Sequence, residues 1–300
     1  MNEYNNDRES VKFEYSKIEL KNQESKYIYI PFSVIVNNEV DTKRIGIFSY
    51  LRIHCGLNDV VGFTISDIVE WCNMKPNIRA DKINDKFLNI MDALSDIGYL
   101  TYLTEKSRSS YMKCKFNSYY YCNDCSNGYS VVYLDELNKI LSYQNTNGNS
   151  VINTTILLVF TYLRNKIIRR PNELKPEERS PDKIKERRER LPEAYNGNIN
   201  DIANDIGIHK QTLSKIIDIL EYDLNLIVTD RAYRVKNENN EFRTLPTIFA
   251  NAYKREDKYL LVTGEEYSRT EIQLKAEQMK KYYQNYKIDK TKRKNRKGEE

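Results

Sequence analysis

Ile199-Asn200-Asp201-Ile202-Ala203-Asn204-Asp205-Ile206-Gly207-Ile208-His209-Lys210-Gln211-Thr212-Leu213-Ser214-Lys215-Ile216 is the stretch on which the fold turns. Two helices that cross steeply through a tight turn demand particular residues at particular places. A small residue must lie at the crossing, and Ala203 supplies it. The turn needs backbone with positive φ, which Gly207 adopts without a Cβ penalty. Ile202, Ile206, Ile208, Leu213 and Ile216 bracket both positions at helical spacing, and Asn198 or Asn200 can cap the first helix. The register predicts a helix-turn-helix, with an ordinary helical hairpin in a core as the bland alternative.

In such a motif the solvent face of the second helix enters the major groove. Here that face carries His209, Lys210, Gln211, Ser214 and Lys215. Gln can bond adenine at two points, and Lys reaches a guanine edge or a phosphate. Beyond the helix, Leu226–Thr229 and Tyr233–Lys236 read as a short hairpin whose Arg231 and Arg234 are candidates for the DNA backbone.

The same plan is legible upstream. Tyr27–Val36 alternates and reads as an extended segment limited by Pro31. Asp41–Thr42 offers an N-cap for a helix carrying Ile45, Phe48 and Leu51 and ending at Gly56. A second helix opens at Thr64, where Thr64-Ile65-Ser66-Asp67 has capping-box form. Pro76 marks a turn, and Ile83, Phe87, Ile90, Met91, Leu94 and Ile97 define a third helix closed by Gly98. Tyr99–Thr104 and Tyr111–Phe116 then form a hairpin with a basic tip that includes Lys106 and Arg108. Three helices and a hairpin make a winged-helix plan. Its recognition helix would present Arg79, Lys82, Asn84 and Lys86, with Lys75 and Asn77 at its start, for duplex contact or for protein pairing. Asn73 stands where the later motif has Gly207, and Asn tolerates the left-handed region.

The expected architecture is therefore mainly α with short β-hairpins (α+β): two tandem winged-helix domains, a C-terminal helix and a basic tail. Residues 1–26 form a flexible lead-in, 27–141 the first domain, 142–150 a linker, and 151–250 the second domain with a charged insert at 169–197. Residues 251–300 supply a helix over roughly Ser268–Tyr286 and a tail. Between 164 and 190 eleven basic residues face six acidic ones, suiting phosphates or a merely solvated helix. The tail from Lys287 to Lys297 has seven cations against Asp289, a composition that is disordered when free and drawn to polyanions.

Composition narrows the function further. The 300 residues hold 48 Lys and Arg against 43 Asp and Glu, a net charge of +5 that matters for where it clusters. No apolar run has the length of a membrane span, and five cysteines, an odd number, fit reduced thiols better than a disulfide framework. A cytoplasmic, nucleoid-associated protein without membrane contact is expected. The two histidines, His54 and His209, fall in separate domains. Gly264-Glu265-Glu266 lacks the Lys-Ser/Thr ending of a phosphate loop. No catalytic residue, no cofactor and no metal ligand is assigned. Cys122 and Cys125, with Cys114 upstream, make only half a zinc site and read as a reduced pair.

Two consecutive winged helices with a basic tail resemble replication initiator proteins of plasmids, phages and integrative elements of low-GC Gram-positive bacteria. Tyr27-Ile28-Tyr29-Ile30-Pro31, Lys75-Pro76-Asn77, Lys82-Ile83-Asn84-Asp85-Lys86-Phe87 and Asp96-Ile97-Gly98-Tyr99-Leu100 carry the resemblance, which covers roughly residues 27–250. It implies binding of double-stranded DNA at repeated origin sites and recruitment of host replication proteins, without enzymatic chemistry. A transcriptional regulator of a mobile element, acting as a homodimer on a palindrome, would use the same surface. A replisome scaffold with little sequence preference is the further alternative.

Overall fold

A computed structural model describes residues 27–36, 41–56, 58–144, 151–167, 180–231, 234–236, 242–244, 246–256, 260–263 and 265–296. Of 234–236, 242–244, 253–256, 260–263, 265–266 and 283–296 it describes the backbone alone. The expected lead-in 1–26, most of the linker, residues 169–179 of the insert, Tyr233 of the expected hairpin and the last four residues lie outside the described residues. The chain is a mixed α+β protein with small antiparallel sheets. Its packing divides it into two units, one drawn from residues up to 165 with Asn204–Ile217, the other from Lys166–Ala203 with the residues after Asp218.

In the first unit β1 (Tyr27–Pro31) pairs antiparallel with β5 (Tyr129–Tyr133). The expected extended segment ends there, because Phe32–Val36 is a helix, α1. Proline's fixed φ suits the start of a helix, and the Phe32 amide donates to the Gly128 carbonyl at 2.9 Å. The far end of α1 is held by Arg44, which is 1% exposed. Its Nε donates to the Val34 carbonyl at 2.6 Å and its Nη2 to the Ile35 carbonyl at 2.7 Å. Burial pulls the Arg44 pKa down to about 10, an effect Asp41 opposes.

Arg44 also opens α2 (Arg44–Ile53), whose N-cap is Lys43 and whose C-cap is His54, two residues short of Gly56. Asp41 does not cap the helix; it accepts from the Lys43 amide at 2.9 Å. A Cβ on Gly46 would come within 2.5 Å of the Cys72 sulfur and 2.7 Å of a Thr154 methyl, so only glycine lets these neighbours approach. Next come β2 (Val60–Phe63), absent from the sequence reading, and α3 (Ile65–Trp71). The predicted capping box is present: the Asp67 amide donates to Thr64 Oγ1 at 3.2 Å, and the Thr64 amide to Asp67 Oδ2 at 2.7 Å. The third helix, α4 (Ile83–Ile97), ends at Gly98 with φ 103°. β3 (Leu100–Tyr102) and β4 (Met112–Phe116) follow, and β4 lies between β2 and β3. Met112, Cys114 and Phe116 are buried while Lys113 and Lys115 are exposed, the alternation of a sheet with one wet face.

Residues 118–141 form α5 (Ser118–Cys125), then β5 and α6 (Leu134–Leu141). The expected second domain begins at 151, but α7 (Asn153–Lys166) packs with the first unit as far as Asn165. It is buried from Asn153 to Arg164. Asn153 Nδ2 donates to the Leu141 carbonyl at 2.8 Å, and Ser130 Oγ to the Thr161 carbonyl at 2.5 Å. Arg164 Nη1 meets Glu136 Oε1 at 2.6 Å, with both side chains out of solvent. An ion pair so placed is costly to break from either side.

In the second unit, β6 (Ala194–Gly197), β7 (Ile227–Asp230) and β10 (Thr247–Asn251) form a sheet with β10 in the middle. The expected insert therefore ends in a sheet strand, preceded by the exposed helix α8 (Pro181–Arg190). The expected hairpin is also corrected. β7 pairs with β10, whereas β8 (Arg234–Lys236) pairs with β9 (Phe242–Thr244). All five residues of β10 are buried, which suits a central strand; Arg234-Val235-Lys236 with its two cations does not. β11 (Tyr253–Glu256) and β12 (Leu260–Thr263) lead into the last helix.

Two further helices precede β7: α9 (Ile199–Ile206), through which the division between units runs, and α10 (Lys210–Asp218). One turn of wider π-helix, Ile219–Asp223, extends α10. The last helix, α11 (Glu265–Arg296), covers the sheet with Ile272, Ala276 and Met279, which pack with Ala194, Ile248, Ala250 and Val228. It runs ten residues beyond the expected Tyr286, so the expected disordered tail is helical in backbone as far as Arg296. Between 265 and 296 there is neither Gly nor Pro, and Lys, Arg, Gln and Glu favour helix.

With the exposed helix α8 and the β8–β9 pair set aside, α7-β6-α9-α10-β7-β10 follow the same order as α2-β2-α3-α4-β3-β4: helix, strand, helix, helix, strand, strand. In both sheets the last strand of the order lies in the middle.

Candidate functional site

Each repeat joins its paired helices through a left-handed residue. Gly207 has φ 69° and directly follows α9. Asn73, with φ 56°, follows the Cys72 cap of α3. Around Asn73 the backbone closes as a Schellman motif, Asn73 N to Glu70 O at 2.8 Å and Met74 N to Val69 O at 3.0 Å.

Beyond Gly207, α10 buries Leu213, Ile216 and Ile217. His209, Lys210, Gln211 and Lys215 are exposed and Ser214 is half-buried, so the five residues expected on the solvent face do reach solvent. Gln211, Ser214, Lys215 and Asp218 fall on one stripe. The end of α9 is tied down by Tyr162, a buried α7 residue whose hydroxyl donates to Asp205 Oδ2 at 2.5 Å. Nothing in local spacing announces that bond.

In the first repeat Lys75, Asn77, Arg79, Lys82 and Lys86 are exposed. Asn84, expected among them, is instead fully buried. Its Oδ1 accepts from the Asn77 amide at 2.9 Å. Its Nδ2 donates to Ser66 Oγ at 3.1 Å and to the Arg108 carbonyl at 3.0 Å. One amide thus joins the turn, α3 and the hairpin tip. Asn84 shares a face with Phe87, Met91 and Leu94, so a polar residue on the apolar stripe was its visible signal.

The hairpin tip is drawn onto α4. Lys106 Nζ lies 2.8 Å from Asp92 Oδ1 and 4.9 Å from the Tyr102 ring centre. Arg108 Nε lies 3.6 Å from Asp85 Oδ1. The wet face of α4 therefore carries Asp85, Asp92 and Asp96 beside Lys82 and Lys86. Arg231 is engaged as well, 2.8 Å from Asp218 Oδ1 and 3.3 Å from Glu221 Oε2. Glu221 is fixed in turn by the amide and hydroxyl of Thr229, each at 2.7 Å. Arg231 thus braces the end of β7 rather than offering an uncommitted cation. For Arg234 the backbone alone is described.

Among the described residues no group of three or more His, Cys, Asp or Glu is placed to hold a metal ion. Cys122 is exposed on α5, while Cys114 is buried in β4. Burial pushes the Cys114 thiol up to about 12 and the Cys125 thiol up to about 11, which disfavours the thiolate that a metal or a nucleophilic step needs. His54 stacks on Tyr50 with ring centres 4.1 Å apart. No helix of the described residues is long and apolar enough to cross a membrane. No protein-family model matches the chain, and no curated protein or solved structure does so either.

Proposed function

We propose that this protein binds duplex DNA sequence-specifically through two winged-helix repeats, with α10 as the base-reading helix, and initiates replication of a mobile element without catalytic chemistry of its own. The observation that carries this reading is the solvent stripe of α10. Lys210, Gln211, Ser214 and Lys215 combine bidentate and point-charge donors on a helix introduced by a three-residue turn at Gly207. The central position of β4 and of β10, each the last strand of its sheet in chain order, supports two modules of one kind, the second carrying α8 and the β8–β9 pair as insertions. Linking two modest binders raises affinity at a repeated site through effective concentration.

The acidic residues on α4 favour a different task for the first repeat. Asp85 and Asp92 engage Arg108 and Lys106, and Asp96 is exposed, so charges of both signs mingle here and this helix suits pairing with a replication protein or a second copy better than base reading.

Selection of binding sites from a random duplex pool tests both assignments. Lys210→Ala with Gln211→Ala should weaken binding to the selected site by about 1–3 kcal/mol for each bidentate pair removed and leave binding to random duplex nearly intact. Lys82→Ala with Lys86→Ala should leave the selected motif unchanged. Direct repeats in that motif favour an initiator, and a palindrome favours a transcriptional regulator. Equal loss on random duplex in the first variant would remove α10 as the reader.

A further inference from the structure

The face of α11 that covers the sheet continues past it. Ile272, Ala276 and Met279 are buried there. Steps of three and four carry the same face on through Tyr283, Lys287, Lys290 and Lys294. The stripe is apolar over the sheet and basic beyond it. Within 287–296 the helix carries Lys287, Lys290, Lys292, Arg293, Lys294 and Arg296 against Asp289 alone. At about 1.5 Å per residue this arm is about 14 Å long.

Cations near a helix C-terminus are favoured by the macrodipole, but only over the last turn. Lys290 with Lys294 and Lys292 with Arg296 stand one turn apart as like charges, each pair costing about 0.2–0.5 kcal/mol. Only Asp289 with Arg293 offers an opposite pair at that spacing. The arm is therefore a helix working against its own charge, a conflict that a polyanion lying along it would relieve.

A second basic element is fastened to the same helix. α8 buries no side chain, although Ser180 caps it and Pro181 starts it. Its last turn carries Arg187, Arg188 and Arg190 beside Glu189, with Arg190 Nη2 paired to Glu186 Oε1 one turn earlier. Gln278 Nε2 donates to the Arg190 carbonyl at 3.3 Å, attaching that turn to α11 nine residues before Lys287.

We propose that the last turn of α8 and the 287–296 arm of α11 form one sequence-independent surface for the phosphate backbone of duplex DNA, a task other than the base reading assigned to α10. The inference rests on the reading that the chain binds DNA. An anionic membrane would require an apolar face beside the charges. Here the cations occupy register positions all around the arm, and Ile288 is its one large apolar residue. A regular row of phosphates needs only point charges.

The test measures affinity of the full chain for a random-sequence 30-base-pair duplex over a range of salt. One variant replaces all six cations of 287–296 by Gln, and another is R187Q/R188Q/R190Q. Removing one phosphate-bound cation should flatten the plot of log K against log salt by about 0.9. The slope should fall by roughly 3–5 in the arm variant and roughly 1–3 in the α8 variant. Far-UV helical signal of the parent chain should rise on adding the duplex. Unchanged slopes would overturn the proposal, and a drop in the arm variant alone would overturn the shared surface. Arm-dependent binding to phosphatidylserine vesicles or to polyglutamate, with duplex slopes unchanged, would overturn it in favour of a lipid or an acidic protein. Absence of any selected site would instead sink base reading by α10 while leaving the slope result standing.

Discussion

The two repeats join their paired helices by turns of different length. After α3 the chain takes eleven residues, Cys72–Lys82, before α4 begins; after α9 it takes three, Gly207–His209, before α10. Each turn has a left-handed residue at or next to its start, Gly207 itself or Asn73 after Cys72, but their remaining residues differ in chemistry. The long turn needs an internal brace, and Asn84 provides it by bonding the Asn77 amide, Ser66 and the Arg108 carbonyl. That brace brings the hairpin tip onto α4, where Asp85 and Asp92 meet Arg108 and Lys106. The short turn needs no such bracket, and α10 keeps a stripe of Gln, Ser and Lys, ending at Asp218, facing solvent. A longer connection thus shifts a helix of similar apolar pattern from presenting donors to supporting its neighbours.

The largest expected effect breaks the brace. Asn84→Leu would remove the buried amide that bonds the Asn77 amide, Ser66 and the Arg108 carbonyl, and should lower stability by about 2–3 kcal/mol in urea unfolding. A loss below about 1 kcal/mol would mean that the long turn holds itself together. The next effect probes the left-handed residues. Gly207→Val places a β-branched residue at φ 69° and should cost about 1–2 kcal/mol, whereas Gly207→Asn, imitating Asn73, should cost less than half of that. Equal thermal shifts for the two variants would sever the parallel between the turns. Smallest is Asp92→Asn, which frees Lys106 from an exposed ion pair. Stability should move by no more than about 0.5 kcal/mol, while affinity for random duplex rises and grows more salt-sensitive. Unaltered duplex binding would show that the first hairpin tip stays away from DNA.

Much of the local structure was readable from residues alone. The Thr64–Asp67 capping box, the Gly98 cap and the positive φ expected at Asn73 and Gly207 are all present. The exposed stripe of α10 was readable too, because Leu213 and Ile216 mark its opposite face. Asn84 was misread as a donor to DNA because it follows Lys82 in a polar stretch, although it shares a face with Phe87 and Met91. The ion pairs of Arg231 were not legible, because its partners, Asp218 and Glu221, precede β7 by several residues. The arm of α11 was read as disordered from its charge, a criterion that takes no account of the helix already running into it.

Caps, helix faces and the side chains that cannot be buried are settled within a turn of helix or along one strand, and follow from the residues alone. Long-range packing settles that β7 pairs with β10 rather than β8, that α7 packs with the first unit, and that Asn84 bonds residues 18 and 24 positions away. Capping and periodicity act between neighbours that meet in any helix. Strand partners and buried bonds require distant segments to be brought together, and the favourable contacts that offset the loop-closure entropy exist only once the chain has folded.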